Sequence, residues 1–145
     1  MGYVAYAATQ LSISNTGSIV LASKNWQVVT FNPGQTGFPT SAATCPTTGY
    51  SDVGPFAITY GGIAQGTTET GAVCVKNVST GGQSYTASTA ATPTPSLPAG
   101  TTVGYSADGG TATSGSITPN GISLLTITVS AGQTLGTVTF TTTIT

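Results

Sequence analysis

The chain has 145 residues, yet only five of them are charged: two lysines and three acids, with no arginine and no histidine. Soluble domains usually carry about 25% charged residues, and two lysines cannot neutralise the roughly six to ten phosphates of a typical nucleic-acid complex. No run approaches the ~18 apolar residues of a membrane helix, so composition and charge argue against nucleic-acid binding and against a membrane-spanning helix.

The N-terminal segment is typical of an extended strand that has no partner in its own fold. Small and aromatic side chains mix in the sequence GYVAYAA at residues 2–8, and no hairpin turn connects them to the alternating residues 11–14. We therefore predict an N-terminal strand at residues 1–9 and one domain at residues 10–145, a length that suits a single hydrophobic core.

Alternation of apolar and hydroxyl residues with a period of two predicts β-strands through the rest of the chain. Turn signals rich in Gly, Asn and Pro separate these strands. In the last strand Val138, Phe140 and Ile144 face one side, and four threonines face the other. The pattern predicts an all-β protein, a jelly-roll-like antiparallel β-sandwich with an extended N-terminal strand. The predicted strands cover residues 11–14, 18–21, 26–31, 56–60, 72–77, 83–88, 101–106, 125–130 and 137–144.

Residues 33–55 are rich in Gly, Pro and Thr, which predicts an excursion from the sheets, and they contain one of the two cysteines. Cys45 and Cys74 have neither CxxC nor metal-ligand spacing, and the chain has no histidine, so we expect no metal site. We favour a disulfide between them, which would stabilise the fold by roughly 3.6 kcal/mol; two buried thiols are the alternative. A disulfide would imply an oxidising, extracellular environment.

Residues that could carry catalysis are scarce. No histidine can act as general base for the many hydroxyl groups, and Asp52, Glu69 and Asp108 are widely separated in the sequence. We therefore expect no enzyme activity and no cofactor. The sequence Asn77-Val78-Ser79 is an N-glycosylation sequon, which makes Asn77 a candidate glycan acceptor if the protein is exported.

The scarcity of charge also bears on how the protein associates. Lysines and other charges normally keep the edge strands of sheets from pairing with other chains, and this chain offers little such protection. Subunits that each donate a terminal strand to a neighbour use such edges for assembly. An ordinary first strand paired within its own chain, or a frayed end, is the alternative. The candidate donor strand comprises Tyr3, Val4, Ala5, Tyr6, Ala7 and Ala8.

Three segments carry a resemblance to a known family: LSISNTGSI at residues 11–19, YGGI followed by VCVKN within 60–77, and the closing residues 122–144 with an AGQT turn. They resemble the subunits of archaeal extracellular filaments, the threads and bundling pili of thermophilic archaea, which are similar in fold to bacterial TasA and camelysin biofilm-matrix proteins. The resemblance implies that an N-terminal strand, here Gly2 to Thr9, enters a groove of the next subunit. Because family members are often glycosylated, it also strengthens Asn77 as a candidate, whereas the excursion with Cys45 departs from the family pattern.

The leading hypothesis is therefore an extracellular filament subunit at the cell surface. It would form a head-to-tail homopolymer, with filament bundling as a further association, and would serve adhesion or biofilm cohesion. A chaperone–usher fimbrial subunit is an alternative that also donates an N-terminal strand, and a viral jelly-roll capsid or fibre protein is another. A secreted carbohydrate-binding module is the alternative from a different class, and its stacking platforms would be Trp26, Tyr60, Tyr85 and Tyr105.

Overall fold

The fold is described from a computed structural model at residues 15–89, 96–108, 116–134 and 136–145. These residues form eight β-strands and a 3₁₀ turn at Ala42–Thr44. The predicted donor strand and the predicted strand at residues 11–14 lie outside the described residues. The strands are β1 (Thr16–Leu21), β2 (Trp26–Phe31), β3 (Phe56–Thr59), β4 (Thr68–Asn77), β5 (Ala87–Thr89), β6 (Thr102–Asp108), β7 (Ile122–Ser130) and β8 (Thr139–Ile144).

The strands form two four-stranded sheets that pack face to face, which confirms the predicted all-β sandwich. The first sheet has the order β3-β1-β8-β5, and the second has the order β2-β4-β7-β6. Neighbouring strands are antiparallel except for β1 and β8, which run parallel with Thr16 opposite Thr139 and Leu21 opposite Ile144. Strand β1 therefore lies between β3 and β8 over its first four residues, Thr16–Ile19.

Inward-facing residues of both sheets fill the core between them. Trp26, Ile58, Tyr85 and Ile127 are each at most 1% exposed, and the Trp26 and Tyr85 rings meet edge to face with centroids 5.5 Å apart. The alternation predicted for the last strand is confirmed, because its apolar residues are buried while its threonines at 139, 141 and 143 are exposed or half-buried.

Gly17 of β1 makes room for an aromatic ring in this core. A Cβ atom at this position would lie 2.6 Å from the Phe140 ring of β8, closer than side chains pack. The absence of a side chain at Gly17 thus leaves space for the Phe140 ring of the neighbouring strand.

Hydroxyl groups connect the two sheets. The Tyr105 hydroxyl of β6 lies 2.7 Å from the Thr89 Oγ1 of β5 and 3.0 Å from the Thr142 Oγ1 of β8. Thr142 is fully buried, so this contact satisfies a polar group that water cannot reach. On the other side of the core, the Tyr60 hydroxyl donates to the Ile127 carbonyl at 3.0 Å.

The excursion at residues 33–55 covers part of the outer face of the second sheet. A small second core forms there, and the excursion contributes to it through Cys45, Phe38 and Tyr50. Its pairing with the sheet is limited to a single bridge between Ser51 and Val28 of β2. The outer face of the second sheet is therefore covered around Cys74, whereas the outward-facing residues of β6 stay exposed.

The predicted strand at residues 83–88 is the one most altered in the structure. Only Ala87–Thr89 forms a strand, β5, while Gln83 makes an isolated bridge to Ile117. Tyr85, between them, turns its ring into the core and hydrogen-bonds to Ser123 at 2.9 Å. The chain therefore crosses between the sheets at a point where the alternating sequence suggested a continuous strand.

Candidate functional site: the open edge of strand β1

Strand β1 is paired on both sides over its first four residues only. Its pairing with β3 begins at Thr16 and ends where Ile19 lies opposite Phe56, whereas its pairing with β8 continues to Leu21. Pro55 precedes Phe56, and proline has no N–H with which to continue a ladder. The last two residues of β1 consequently have a sheet neighbour on one side alone among the described strands.

The direction of the backbone groups follows from the neighbouring hydrogen bonds. The Ala22 N–H donates to the Ile144 carbonyl on the β8 side at 2.9 Å. Hydrogen-bonding groups alternate in direction along a strand, so Leu21 directs its N–H and carbonyl to the opposite, open side. This is the arrangement at which a further strand can be added to a sheet.

A groove of about 370 Å³ follows the open edge, and we call it the β1 groove. A second groove of about 310 Å³ shares Leu21 and Asp52 with it and extends past Ala22 to Lys24. Val20, at the mouth, is 48% exposed. The two grooves together form a channel whose inner part is mostly apolar and whose outer part is more polar, with Asp52 beside both parts and Lys24 at the outer end. The β1 groove is lined by Ser18, Ile19, Val20, Leu21, Asp52, Gly54, Pro55, Phe56 and Ala57.

Asn15 fixes the point at which the N-terminal segment joins the domain. Its side chain is fully buried; the Nδ2 donates to the Gly61 carbonyl, and the Oδ1 accepts from the Val138 N–H at 3.1 Å. Its own carbonyl accepts from the Tyr60 N–H at 2.8 Å. The segment before Asn15 is thus attached at the beginning of β1, whereas the β1 groove follows the strand from Ser18 to its end at Leu21, about 20 Å from Asn15 at 3.3 Å per residue.

The structure joins Cys45 and Cys74 by a disulfide with Cα atoms 6.0 Å apart. Cys74 lies in the middle of β4, and Cys45 belongs to the excursion. The closed loop includes Asp52 and Phe56, which form one wall of the β1 groove. The disulfide therefore ties the chain that carries this wall to the second sheet.

Asn77 does not present its amide to solvent. It is fully buried, and its Nδ2, the atom that an N-glycan modifies, donates to the carbonyls of Gly81 at 2.9 Å and Ile117 at 2.8 Å. The Ser79 hydroxyl of the same sequon donates to the Asn77 Oδ1 at 2.7 Å. The folded domain therefore counts against Asn77 as a glycan acceptor, because a glycan there would break these contacts, and the residue instead holds a turn at the end of β4.

The aromatic residues of the carbohydrate-binding alternative lie inside the domain. Trp26 and Tyr85 are 1% exposed and Tyr60 is 4% exposed, so these rings cannot stack on a sugar. Tyr105 is half-buried, and its hydroxyl bonds to two threonines. Burial raises the pKa of Tyr85 to about 12, with an opposing effect of the Ser123 hydrogen bond and a further increase from Asp108. The burial of Tyr60 and Tyr85 and the hydrogen bonds of Tyr105 are those of tyrosines that stabilise the core.

Two of the charged residues contact the excursion at residues 33–55. Within the described residues, no three His, Cys, Asp or Glu side chains lie close enough to hold a metal. Asp108 accepts from the Ala42 N–H at 2.8 Å, and the Lys76 ammonium lies 5.6 Å from the centre of the Tyr50 ring. Both residues thus hold the excursion against the second sheet.

The β1 groove was not predicted from the sequence, although one signal points to it. The dipeptide Gly54-Pro55 directly precedes the predicted strand at residue 56, and a proline there limits how far this strand can pair. The sequence does not show that β1 pairs with β3 and continues beyond it along β8. The open edge results from that pairing, so it is seen only in the fold.

Comparisons with known proteins identify no related family. The chain matches no family model, no curated protein and no solved structure. In the described part of the chain, none of the helices has the length and apolar character needed to cross a membrane.

Proposed function

We propose that this protein is the structural subunit of an extracellular filament. Copies join head to tail when the N-terminal strand, residues 2–9, of one copy pairs with a sheet edge of the next. The observation that carries the proposal is the open edge of β1, where Leu21 directs its backbone groups into a groove instead of to a neighbouring strand.

Strand addition supplies the binding energy for such an assembly. Each added residue pair forms main-chain hydrogen bonds, and alternate side chains fill pockets along the groove. The donor sequence GYVAYAA has no charge to desolvate, and in the whole chain only five residues are charged. Nothing in the sequence of the donor opposes its entry into an apolar groove.

The extracellular setting is supported by the disulfide between Cys45 and Cys74, since such bonds persist in oxidising compartments. A homopolymer of this kind serves adhesion or biofilm cohesion, and these roles are part of the proposal.

Lateral bundling of filaments is also part of the proposal, and the outer face of the first sheet supports it. Eight hydroxyl side chains and no charged side chain project from the described part of this face. In the β1–β8 register, Thr16 lies beside Thr139 and Ser18 beside Thr141. Like surfaces without charge do not repel each other, and weak contacts that repeat along two filaments add up by multivalency. The eight hydroxyl residues are Thr16, Ser18, Thr59, Ser88, Ser96, Thr139, Thr141 and Thr143.

The proposed function is tested by removing or altering the donor strand. We expect the full chain to form filaments in electron micrographs and a variant lacking residues 1–9 to remain monomeric. A double variant, Ala5→Asp/Ala7→Asp, should also stay monomeric, because it places two charges in the groove. The matched control is Thr102→Asp/Ser106→Asp, which adds the same charge at exposed positions of β6 and should polymerise normally.

Fluorescence of the buried Trp26 shows whether each variant is folded. Filaments formed equally well by the deletion variant, with native fluorescence, would rule out donation of the N-terminal strand. Equal loss of filaments in both charge variants would show that added charge, rather than its position, prevents assembly.

A further inference from the structure

The direction in which the donor strand enters the next subunit follows from the two ends of β1, and this inference rests on the proposed function. Asn15 attaches the N-terminal segment at the beginning of β1, and the β1 groove lies at its end. In a head-to-tail polymer the same contact repeats from copy to copy. A copy therefore donates at the Asn15 end and receives at the Leu21 end.

The donor's own connection then sets its polarity. The neighbour that supplies the strand lies beyond the Leu21 end, so the donor's C-terminal end, which leads to that neighbour's Asn15, must lie at the outer end of the channel near Lys24. The donor's N-terminal end reaches inward to Phe56, where β3 begins. Strand β1 also runs from the inner end to the outer end.

We infer that the donor strand pairs in parallel with β1, in line with β3 and beyond its first residue. It pairs beside Val20 and Leu21, where the N–H and carbonyl of Leu21 face the open side, and its outer part lies over the bend and turn at residues 22–25 that lead into β2. A donor of about five extended residues, about 17 Å long, reaches from Phe56 past Leu21 to this turn. Tyr3 lies at the inner end beside Val20 and Phe56, and Tyr6 lies farther out beside Ala22 and Lys24.

The chain outside the described residues is long enough for this contact. Fourteen residues precede Asn15, and an extended chain of that length spans up to about 45 Å. Five residues in the channel leave about five or more to cross from one subunit to the next. The groove of about 370 Å³ at the inner end has room for an aromatic side chain, which suits Tyr3 as the innermost large residue.

The test uses the full chain with a photo-crosslinking benzophenone side chain in place of one donor tyrosine, either Tyr3 or Tyr6. Both positions are aromatic, so the substitution is conservative. Mass spectrometry of the crosslinked filaments identifies the residues reached in the neighbouring copy. We expect position 3 to crosslink to the peptide around Val20 and Phe56, and position 6 to crosslink to the peptide around Ala22–Lys24.

The outcomes separate this inference from the proposed function. Filaments with the reverse pattern would show antiparallel entry, and filaments with crosslinks elsewhere on the neighbour would show a different acceptor; either result overturns the inference and leaves strand donation intact. A full chain that forms no filaments and no intermolecular crosslinks overturns both.

A second variant tests the acceptor edge without altering the donor. Leu21→Pro removes an N–H that faces the open side and leaves the bond between the Ala22 N–H and Ile144 in place. This variant alone should not polymerise. Mixed with the variant lacking residues 1–9, it should form dimers of one copy each, because one copy retains the donor and the other the acceptor. Val20→Lys, which places a charge at the same edge, should behave in the same way. Filaments from either edge variant alone would overturn the assignment.

Discussion

The disulfide between Cys45 and Cys74 should contribute both to stability and to the shape of the β1 groove. The sequence separation of 29 residues gives a loop whose closure reduces the entropy of the unfolded chain by an amount worth about 3.6 kcal/mol at 25 °C. Reduction of the bond should therefore lower the free energy of unfolding by up to about 3.6 kcal/mol, measured by urea denaturation with Trp26 fluorescence. Reduced protein retains both sulfur atoms, so this comparison isolates the crosslink from the packing of the side chains.

The same experiment has a second readout at the groove. Asp52 and Phe56 lie within the closed loop, so reduction should loosen this wall and slow filament growth even where the domain remains folded. The double variant Cys45→Ala/Cys74→Ala serves as a control that cannot reoxidise, and it should lose slightly more stability because both residues are buried. A stability change below about 1 kcal/mol, together with an unchanged rate of filament growth, would refute the reasoning.

Three further predictions concern the core. Gly17→Ala should lower the free energy of unfolding by about 1–3 kcal/mol, since its Cβ would lie 2.6 Å from the Phe140 ring. The control Gly104→Ala, with nothing within 4 Å of the new atom, should change this free energy by less than about 0.5 kcal/mol. Equal losses in the two variants would contradict this account. Tyr105→Phe should lower the free energy of unfolding by about 1–3 kcal/mol, because it leaves the buried hydroxyl of Thr142 on the facing sheet without its hydrogen-bond partner. An unchanged free energy in urea denaturation would show that this hydroxyl forms a different hydrogen bond. Tyr85 should make the fold sensitive to alkali. Burial raises the pKa of Tyr85 to about 12 in the folded protein, compared with about 10 in the unfolded chain. Its contribution of about 3 kcal/mol to the free energy of unfolding is therefore complete below pH 10 and lost between pH 10 and 12. Burial also raises the pKa of Tyr60, so the contribution of Tyr85 is measured by comparison with Tyr85→Phe, whose loss of stability between pH 9 and pH 12 in denaturation curves should be smaller by about 3 kcal/mol.

Local alternation was sufficient to predict most of the strands. In β8 the apolar residues face the core and the threonines at 139, 141 and 143 face outward, because a β-branched hydroxyl residue fits the exposed side of a strand; Thr142 is buried instead and bonds to Tyr105. The excursion at residues 33–55 was also predictable, since its glycines and prolines interrupt any regular pairing. These signals act between residues close in sequence.

Features that depend on distant residues were not predictable from the pattern. The parallel pairing of β1 with β8 joins residues more than 120 positions apart, and nothing in either strand specifies its neighbour. The sequon at Asn77 indicates a surface turn, but the turn folds back so that the amide bonds to the Ile117 carbonyl. The open edge of β1 has the same origin, because it arises where β3 stops beside a strand that continues.

Cryo-electron microscopy of the full-length chain, purified without denaturant, tests the central claim most directly. The account predicts filaments of repeating small domains, with an extra strand beside Val20 and Leu21 that can be traced to residues 2–9 of the adjacent copy and runs parallel to β1. Dispersed monomers, or filaments in which no strand from a neighbour enters any sheet, would contradict it.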